Sequence, residues 1–288
     1  MITVATCAVC GSNDLRSYAE SPRDAGMLHF AQARCGGCGL LIAQPRATSD
    51  EIARYYEQDY YRTHWPDAAT LTADNQRVYR TNEYPIMQGL WADWPPRAGS
   101  LAVEIGCGYG AFLPMLAADG FRVAGCDLSH DAVAWCRGRR LDVVQGGVPG
   151  VRFAEPAGLV VSQHVIEHVE DPRAFVAALT TLAAPGGVIV IVTEDNWHAQ
   201  YGWSRLLARL RGRTPPFHTS SDHTFVFAAA HLRRLMTEAG CTEVRTRSFC
   251  YRPERESLHW RLYKGAMRAA DRLLGRGPFL IAVGRIPG

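Results

Sequence analysis

The chain has 288 residues, 47% of them hydrophobic and 20% charged, with a formal net charge of +3. These proportions indicate a globular protein of one large domain or two modest ones, and they exclude wholesale disorder, a fibre and a disulfide-dependent scaffold. No apolar run reaches the ~18 residues of a membrane span, and the start lacks a basic stretch followed by an apolar one, so the expectation is a soluble, cytoplasmic protein.

Lys264 is the only lysine among 31 basic residues. Such an arginine skew follows G+C-rich codon usage. With no long block of like charge, it gives little support to a nucleic-acid partner.

Cys7, Cys10, Cys35 and Cys38 form two C-x-x-C pairs, each followed by a glycine, Gly11 and Gly39. Each pair places two thiolates on one side of a tight turn, and two such turns complete the closed tetrahedral shell that structural zinc prefers. A redox C-x-x-C is the alternative. The 24 residues between the pairs suggest a ribbon with a long hairpin. Residues 1–45 are therefore predicted as a zinc ribbon. The other cysteines, Cys107, Cys126, Cys136, Cys241 and Cys250, are scattered through apolar segments and read as small packing residues.

Residues 46–97 read as a helical connector rich in aromatics. Ser49-Asp50-Glu51 marks a helix start, followed by Ile52, Tyr55 and Tyr56 at helical spacing and then Tyr60, Tyr61, Trp65 and Tyr79. Such a stripe packs, and here it also stands where it would cover the next domain.

From residue 98 strands alternate with helices. Strands are predicted at 100–106, 122–128, 142–145, 159–165 and 188–193. A helix carries Phe112, Leu113 and Leu116, a second is capped by Ser129, and a third is opened by Asp171-Pro172. This alternation predicts an α/β doubly wound sheet with its ligand beyond the carboxyl ends of the strands. The turn after the first strand reads Val103-Glu104-Ile105-Gly106-Cys107-Gly108-Tyr109-Gly110-Ala111, and Asp127 ends the second strand, where a ribose-binding acid belongs. A nicotinamide dinucleotide would bring its pyrophosphate against Glu104, which repels it. A cofactor carrying an amine and a sulfonium, S-adenosylmethionine, suits the same carboxylate.

With these residues in place, the sequence resembles the class I S-adenosylmethionine-dependent methyltransferases. Residues 103–110 look like their E/D-x-G-x-G-x-G loop, Asp127-Leu128 like their ribose-binding acid, Val161–Val169 with Asp171-Pro172 like the segment after strand four, and Pro185-Gly186-Gly187-Val188 like the entry to strand five. The resemblance implies a Rossmann-like seven-stranded sheet over residues 98–288, with a sixth strand at 241–249 and a final antiparallel one at 279–286. It implies cofactor contacts from Glu104, Gly106, Gly108, Gly110, Asp127, Leu128 and Gln163. With the ribbon included, nearly the whole chain is similar to zinc-containing methyltransferases of sugar and natural-product biosynthesis. In the sugar C-methyltransferases among them, a Glu-His pair supplies the base. Here Asp222-His223 resembles it, with Asp for Glu, which leaves O- and C-transfer both open.

An activated sulfonium leaves the protein to position the acceptor and accept its proton. His223 is the first candidate base, oriented by Asp222. The competing reading has it cap the helix starting near Ala228. His164, just beyond strand four, is the second candidate, while Glu167 and His168 are expected to fix the turn. Two insertions complete the reading, a lid at 196–222 with His198 and His218, and a helical stretch at 253–277 whose basic face suits a phosphate-bearing acceptor. The predicted activity is methyl transfer to a small-molecule O or C nucleophile, a sugar or natural-product intermediate. The alternatives are an rRNA or tRNA methyltransferase using the ribbon for recognition and a non-catalytic ribbon scaffold.

Overall fold

The structure is a computed structural model describing residues 1–20, 31–57, 67–195, 199–213, 222–250 and 277–288, with Gly265, Ala269 and Leu273 as isolated helical positions. Tyr60, Tyr61, Trp65, Trp197, His198, Phe217 and His218 lie outside the described residues, as does nearly all of the 253–277 insertion.

The chain begins with the two cysteine turns and three short antiparallel strands, β1 (Leu15–Glu20), β2 (Ala31–Cys35) and β3 (Leu41–Ala43). Helix α1 (Ser49–Tyr55) follows, starting at Ser49 as predicted, with Thr48 as its N-cap. The Thr48 side chain accepts from the Glu51 N–H while Glu51 reaches back to the Thr48 N–H, a reciprocal capping box. Ser49 instead donates through both N–H and Oγ to Glu170 Oε2, each at 2.6 Å, tying α1 to the loop after the fourth strand of the main sheet. Helices α2 (Ala68–Thr81) and α3 (Glu83–Leu90) complete the connector.

The main sheet then builds in chain order from β4 (Leu101–Ile105), α4 (Leu113–Ala118), β5 (Arg122–Asp127), α5 (His130–Gly138), β6 (Val143–Gln145), β7 (Ala157–Gln163), α6 (Pro172–Leu182) and β8 (Ala183–Glu194). Helix α7 (Ala199–Leu210), strand β9 (Phe225–Val226), helix α8 (Ala229–Glu238) and strands β10 (Thr242–Phe249) and β11 (Phe279–Arg285) follow. The sheet has seven strands in the order β10-β11-β8-β7-β4-β5-β6, with only β11 antiparallel to its neighbours. This is the predicted Rossmann-like arrangement of a class I methyltransferase sheet.

Strands β4 and β7 are buried at every residue, as their unbroken apolar runs require when both sheet faces are covered. Successive residues point to opposite faces. Val103, Val160, Ile189 and Ile191 pack on one side with Val176, Leu179, Leu232 and Met236 of α6 and α8. Ala102, Leu159, Val161, Val190 and Val192 pack on the other with Phe112, Leu116, Tyr84, Met87 and Trp91. The predicted caps are in place: Ser129 Oγ accepts from Ala132 N–H, and Asp171 Oδ1 accepts from the N–H groups of Arg173 and Ala174. The Pro185-Gly186-Gly187 segment is looped out between the Ala157–Ala183 and Leu159–Val188 pairs of β7 and β8.

Strand β9 pairs with β3, not with the main sheet, and so closes a four-stranded sheet in the order β1-β2-β3-β9. The apolar residues of the cysteine-bearing segment, Cys7, Val9, Cys35, Leu40 and Ile42, accordingly share one core with Phe225, Phe227 and the face of the sheet that carries α6 and α8. Arg173 of α6 fastens the first cysteine turn, donating to the carbonyls of Ala8 and Val9 while pairing with Glu238.

Candidate active site

The glycine turn leaves β4 at the carboxyl edge of the sheet. Gly106 (φ 74°) and Gly110 (φ 70°) both adopt the left-handed conformation. A Cβ at Gly106 would stand 2.4 Å from Val165 Cγ2, and one at Gly110 2.7 Å from Leu141 Cδ1. Only glycine permits this path. The loop is then pinned by Asp127, whose Oδ2 accepts from Gly108 N–H at 2.8 Å and whose Oδ1 accepts from Ser129 N–H at 2.9 Å. Beneath the loop Gln163 Nε2 donates to Glu104 Oε1 at 3.1 Å, while Glu104 Oε2 is buried and has no hydrogen-bond partner. Burial pushes the Glu104 carboxyl up to about 8, against the pull of Gln163, with Cys136 and Asp127 adding to the rise.

These groups open into a cavity of about 1100 Å³. Glu104, Gly106, Gly108, Asp127, Leu128, Gln163 and His164 are on its wall, and Gly110 supports the loop from behind. Opposite them stand Ile52 and Tyr56 of the α1 region and Leu71, Asn75, Val78 and Tyr79 of α2. The aromatic connector therefore packs and covers, as its sequence suggested. Gly146, Gly147, Val148 and Pro149 form another wall, which sequence reasoning missed because an irregular segment after a three-residue strand carries no periodic signal. Among the described residues no part of α7 reaches the cavity. Trp203 is half exposed, and Arg205 lies over the ring of Tyr18 on β1, so the cover comes from the connector and not from the described part of the expected lid.

His164 follows β7 directly and takes a left-handed φ of 53°, unusual for a side chain of its size. Its Nδ1 lies 3.2 Å from Glu167 Oε1, and the Glu167 side chain is wholly buried. Burial opposes the charge on His164, but the Glu167 carboxylate more than offsets it and raises the imidazole above its ordinary value. Burial would likewise raise Glu167, yet His164, followed by His168 and His223, holds it at about 2. His168 also lines the cavity, with its ring edge-on to Tyr56, and burial, reinforced by His223, keeps it below the usual imidazole range.

Asp222 and His223 are not on the cavity wall. They lie behind His168, whose ring centroid is 4.7 Å from that of His223. His223 Nδ1 faces Glu194 Oε2 at 3.3 Å, and although burial opposes it, that carboxylate pushes the imidazole up to about 9. Nor does His223 cap a helix. The cap of α8 is Ala228, whose N–H donates to His231 Nδ1 at 2.9 Å. The Glu167 carbonyl accepts from the N–H groups of Thr224 and Phe225, which ties the loop after β7 to β9. His168, expected to fix the turn, stands at the cavity.

A methyltransferase-domain family model matches residues 86–246. The chain belongs to that family. Over 222 residues this methyltransferase is 28% identical to a ubiquinone biosynthesis O-methyltransferase of Cupriavidus pinatubonensis, covering 73% of this chain and 84% of the relative. An enzyme of the same name from Aromatoleum aromaticum is 28% identical over 176 residues, covering 57% of this chain and 75% of the relative. Among solved structures, a SAM-dependent methyltransferase from Archaeoglobus fulgidus superposes with a TM-score of 0.51 at 16% identity, covering 79% of this chain and all of its own, a likeness of fold. S-adenosylmethionine is accordingly the methyl donor, and the orphaned Glu104 Oε2 on the cavity wall suits its ammonium.

The four cysteines meet as the spacing predicted. Cys7 Sγ lies 3.6 Å from Cys38 Sγ and Cys10 Sγ 3.4 Å from Cys35 Sγ, with all four sulfurs within 4.8 Å of one another. Gly11 and Gly39, both left-handed, donate their N–H groups to the carbonyls of Cys7 and Cys35, and backbone N–H groups within each turn point at the sulfurs. This donor set fits a tetrahedral thiolate-bound zinc.

Proposed function

We propose that this methyltransferase transfers a methyl group to a hydroxyl oxygen of a small molecule, a sugar or natural-product intermediate, with carbon as the alternative nucleophile. The observation that carries this reading is the placement of His164 on the cavity wall that the glycine loop also lines, with the buried Glu167 carboxylate 3.2 Å from its Nδ1. S-adenosylmethionine, when bound, supplies an activated methyl group and needs no further activation from the protein. Asp127 holds its ribose, Glu104 its ammonium, and Leu128 and Val148 flank its base. His164 accepts the acceptor's proton, and Glu167 orients the ring through Nδ1 and stabilises its charged form, the division of labour expected of an imidazole base. Helices α1 and α2 exclude water from the reacting pair. Relatives named for O-methyl transfer support oxygen as the receiving atom.

In this reading residues 1–45 form a ribbon held by structural zinc at Cys7, Cys10, Cys35 and Cys38, with four thiolates and no open position for catalysis. The cofactor and acceptor belong to residues 46–288, in the cytoplasm. Incubating the protein with methyl-tritiated S-adenosylmethionine and a cell extract, then counting label by fraction, tests the proposal. Label is expected in the small-molecule pool. Label in RNA would contradict it and make the ribbon a recognition module.

A further inference from the structure

Two cysteines outside the four-sulfur cluster meet under the cofactor loop. Cys107 stands in the glycine turn and on the cavity wall, and Cys136 comes from α5. Both are buried, in a small core of their own with Leu113, Val133 and Val143. Their sulfurs converge on one atom, the Gly108 carbonyl oxygen, at 3.8 Å for Cys107 Sγ and 3.4 Å for Cys136 Sγ. The thiols also hydrogen-bond to each other. That contact favours the Cys136 thiolate against its burial, with Arg139 assisting, and it joins burial in holding Cys107 protonated. Glycine makes the room for both sulfurs: a Cβ at Gly110 would stand 2.9 Å from Cys136 Sγ, and one at Gly125 3.1 Å from Cys107 Sγ.

We infer that Cys107 and Cys136 form a redox modification site, joined by a disulfide when the protein meets a peroxide, and that this bond weakens the loop's hold on S-adenosylmethionine. The Cys107 sulfur gives its proton to Cys136 and attacks one peroxide oxygen. The O–O bond breaks, a sulfenic acid forms on Cys107, and the departing hydroxide takes the proton from Cys136 to leave as water. The Cys136 thiolate then attacks the sulfenic sulfur, and the S–S bond forms as hydroxide leaves and takes up a solvent proton. The two sulfurs lose two electrons, and the peroxide is reduced to two waters. Closing the sulfurs to the ~2.05 Å of a disulfide draws Cys107 toward α5. Its N–H donates to the Cys126 carbonyl and its own carbonyl accepts from Gly110 N–H, so the turn moves with it. With the turn goes the Gly108 N–H that Asp127 holds.

The test uses the full chain, reduced, desalted and treated with hydrogen peroxide. Peptides are mapped by mass spectrometry with fragmentation, and S-adenosylmethionine affinity is measured by titration calorimetry before and after treatment. A link between Cys107 and Cys136 is expected. Because it disturbs the loop's hydrogen bond to a carboxylate, affinity should weaken by roughly ten- to a hundredfold and recover with dithiothreitol. Both thiols remaining reduced would overturn the site, and a link formed with affinity unchanged would overturn its effect. In Cys136→Ala, peroxide should leave the affinity where it stood before treatment. A loss equal to that of the wild type would assign the effect to other cysteines and contradict the inference. The wild-type peptide map decides the site whether or not Cys136→Ala folds. That map depends neither on where S-adenosylmethionine binds nor on methyl transfer, so the disulfide and the proposed activity stand or fall separately.

Discussion

Glu104 faces the cavity with one oxygen paired to Gln163 and the other unpaired, and burial lifts its carboxyl to about 8 from 4.5. Because the folded-state value is raised, the neutral form stabilises the unliganded fold below the unfolded value, and that contribution is lost as pH rises through about 8. Thermal unfolding of the unliganded protein should therefore show stability falling between about pH 5 and 8, a slope that Glu104→Gln removes. A cation binding beside Glu104 favours its ionised form, so S-adenosylmethionine affinity should rise over the same interval in the wild type. His164 carries a different expectation. As the proposed base on the cavity wall it should account for roughly 10²–10⁴-fold in turnover. His164→Ala is expected to lose that factor with cofactor affinity unchanged by direct titration, and full activity would remove the base role. The glycine loop, Glu104 and Asp127 were legible as residues because their spacing is fixed by a local turn. The cavity position of His168 and the retreat of His223 behind it were not. Both follow from where β9 pairs, a tertiary fact with no local pattern.

At the level of elements, strand order and helix caps followed from apolar runs and capping residues, as at Ser129 and Asp171. The two-residue β9 did not, since Phe225-Val226 is too short to carry a period, and its partner β3 lies almost two hundred residues earlier. That pairing makes the cysteine-bearing sheet continuous with the segment that lies behind His168 of the cavity. With zinc held by the four cysteines as proposed, a chelator should loosen β1–β3 and with them the 222–226 segment behind His168. Hydrogen exchange is expected to speed up at Thr224–Val226 as well as around Cys7 and Cys35, and turnover is expected to fall. Protection unchanged at 224–226 would show that the two regions do not share stability. Arg173→Ala, which removes two carbonyl contacts and one carboxylate contact, should give a milder form of the same change.

The whole molecule places the cofactor loop, His164 and the connector helices around one space of about 1100 Å³, with Glu167 buried against His164. Single-ligand pockets span roughly 300–1000 Å³, so this space accommodates a cofactor and a small acceptor together. The doubly wound architecture was legible because parallel strands buried on both faces must read as continuous apolar runs. The identity of the cover was half legible: the aromatic stripe of the connector announced it, whereas the expected lid after β8 does not reach the cavity among the described residues. That S-adenosylmethionine binds in this cavity is tested most directly by titration calorimetry of the wild type and Asp127→Ala. Losing hydrogen bonds to a charged carboxylate costs about 1.5–3 kcal/mol, so Asp127→Ala should weaken cofactor binding by roughly ten- to a hundredfold. An unchanged dissociation constant would contradict the account and move the cofactor out of this cavity.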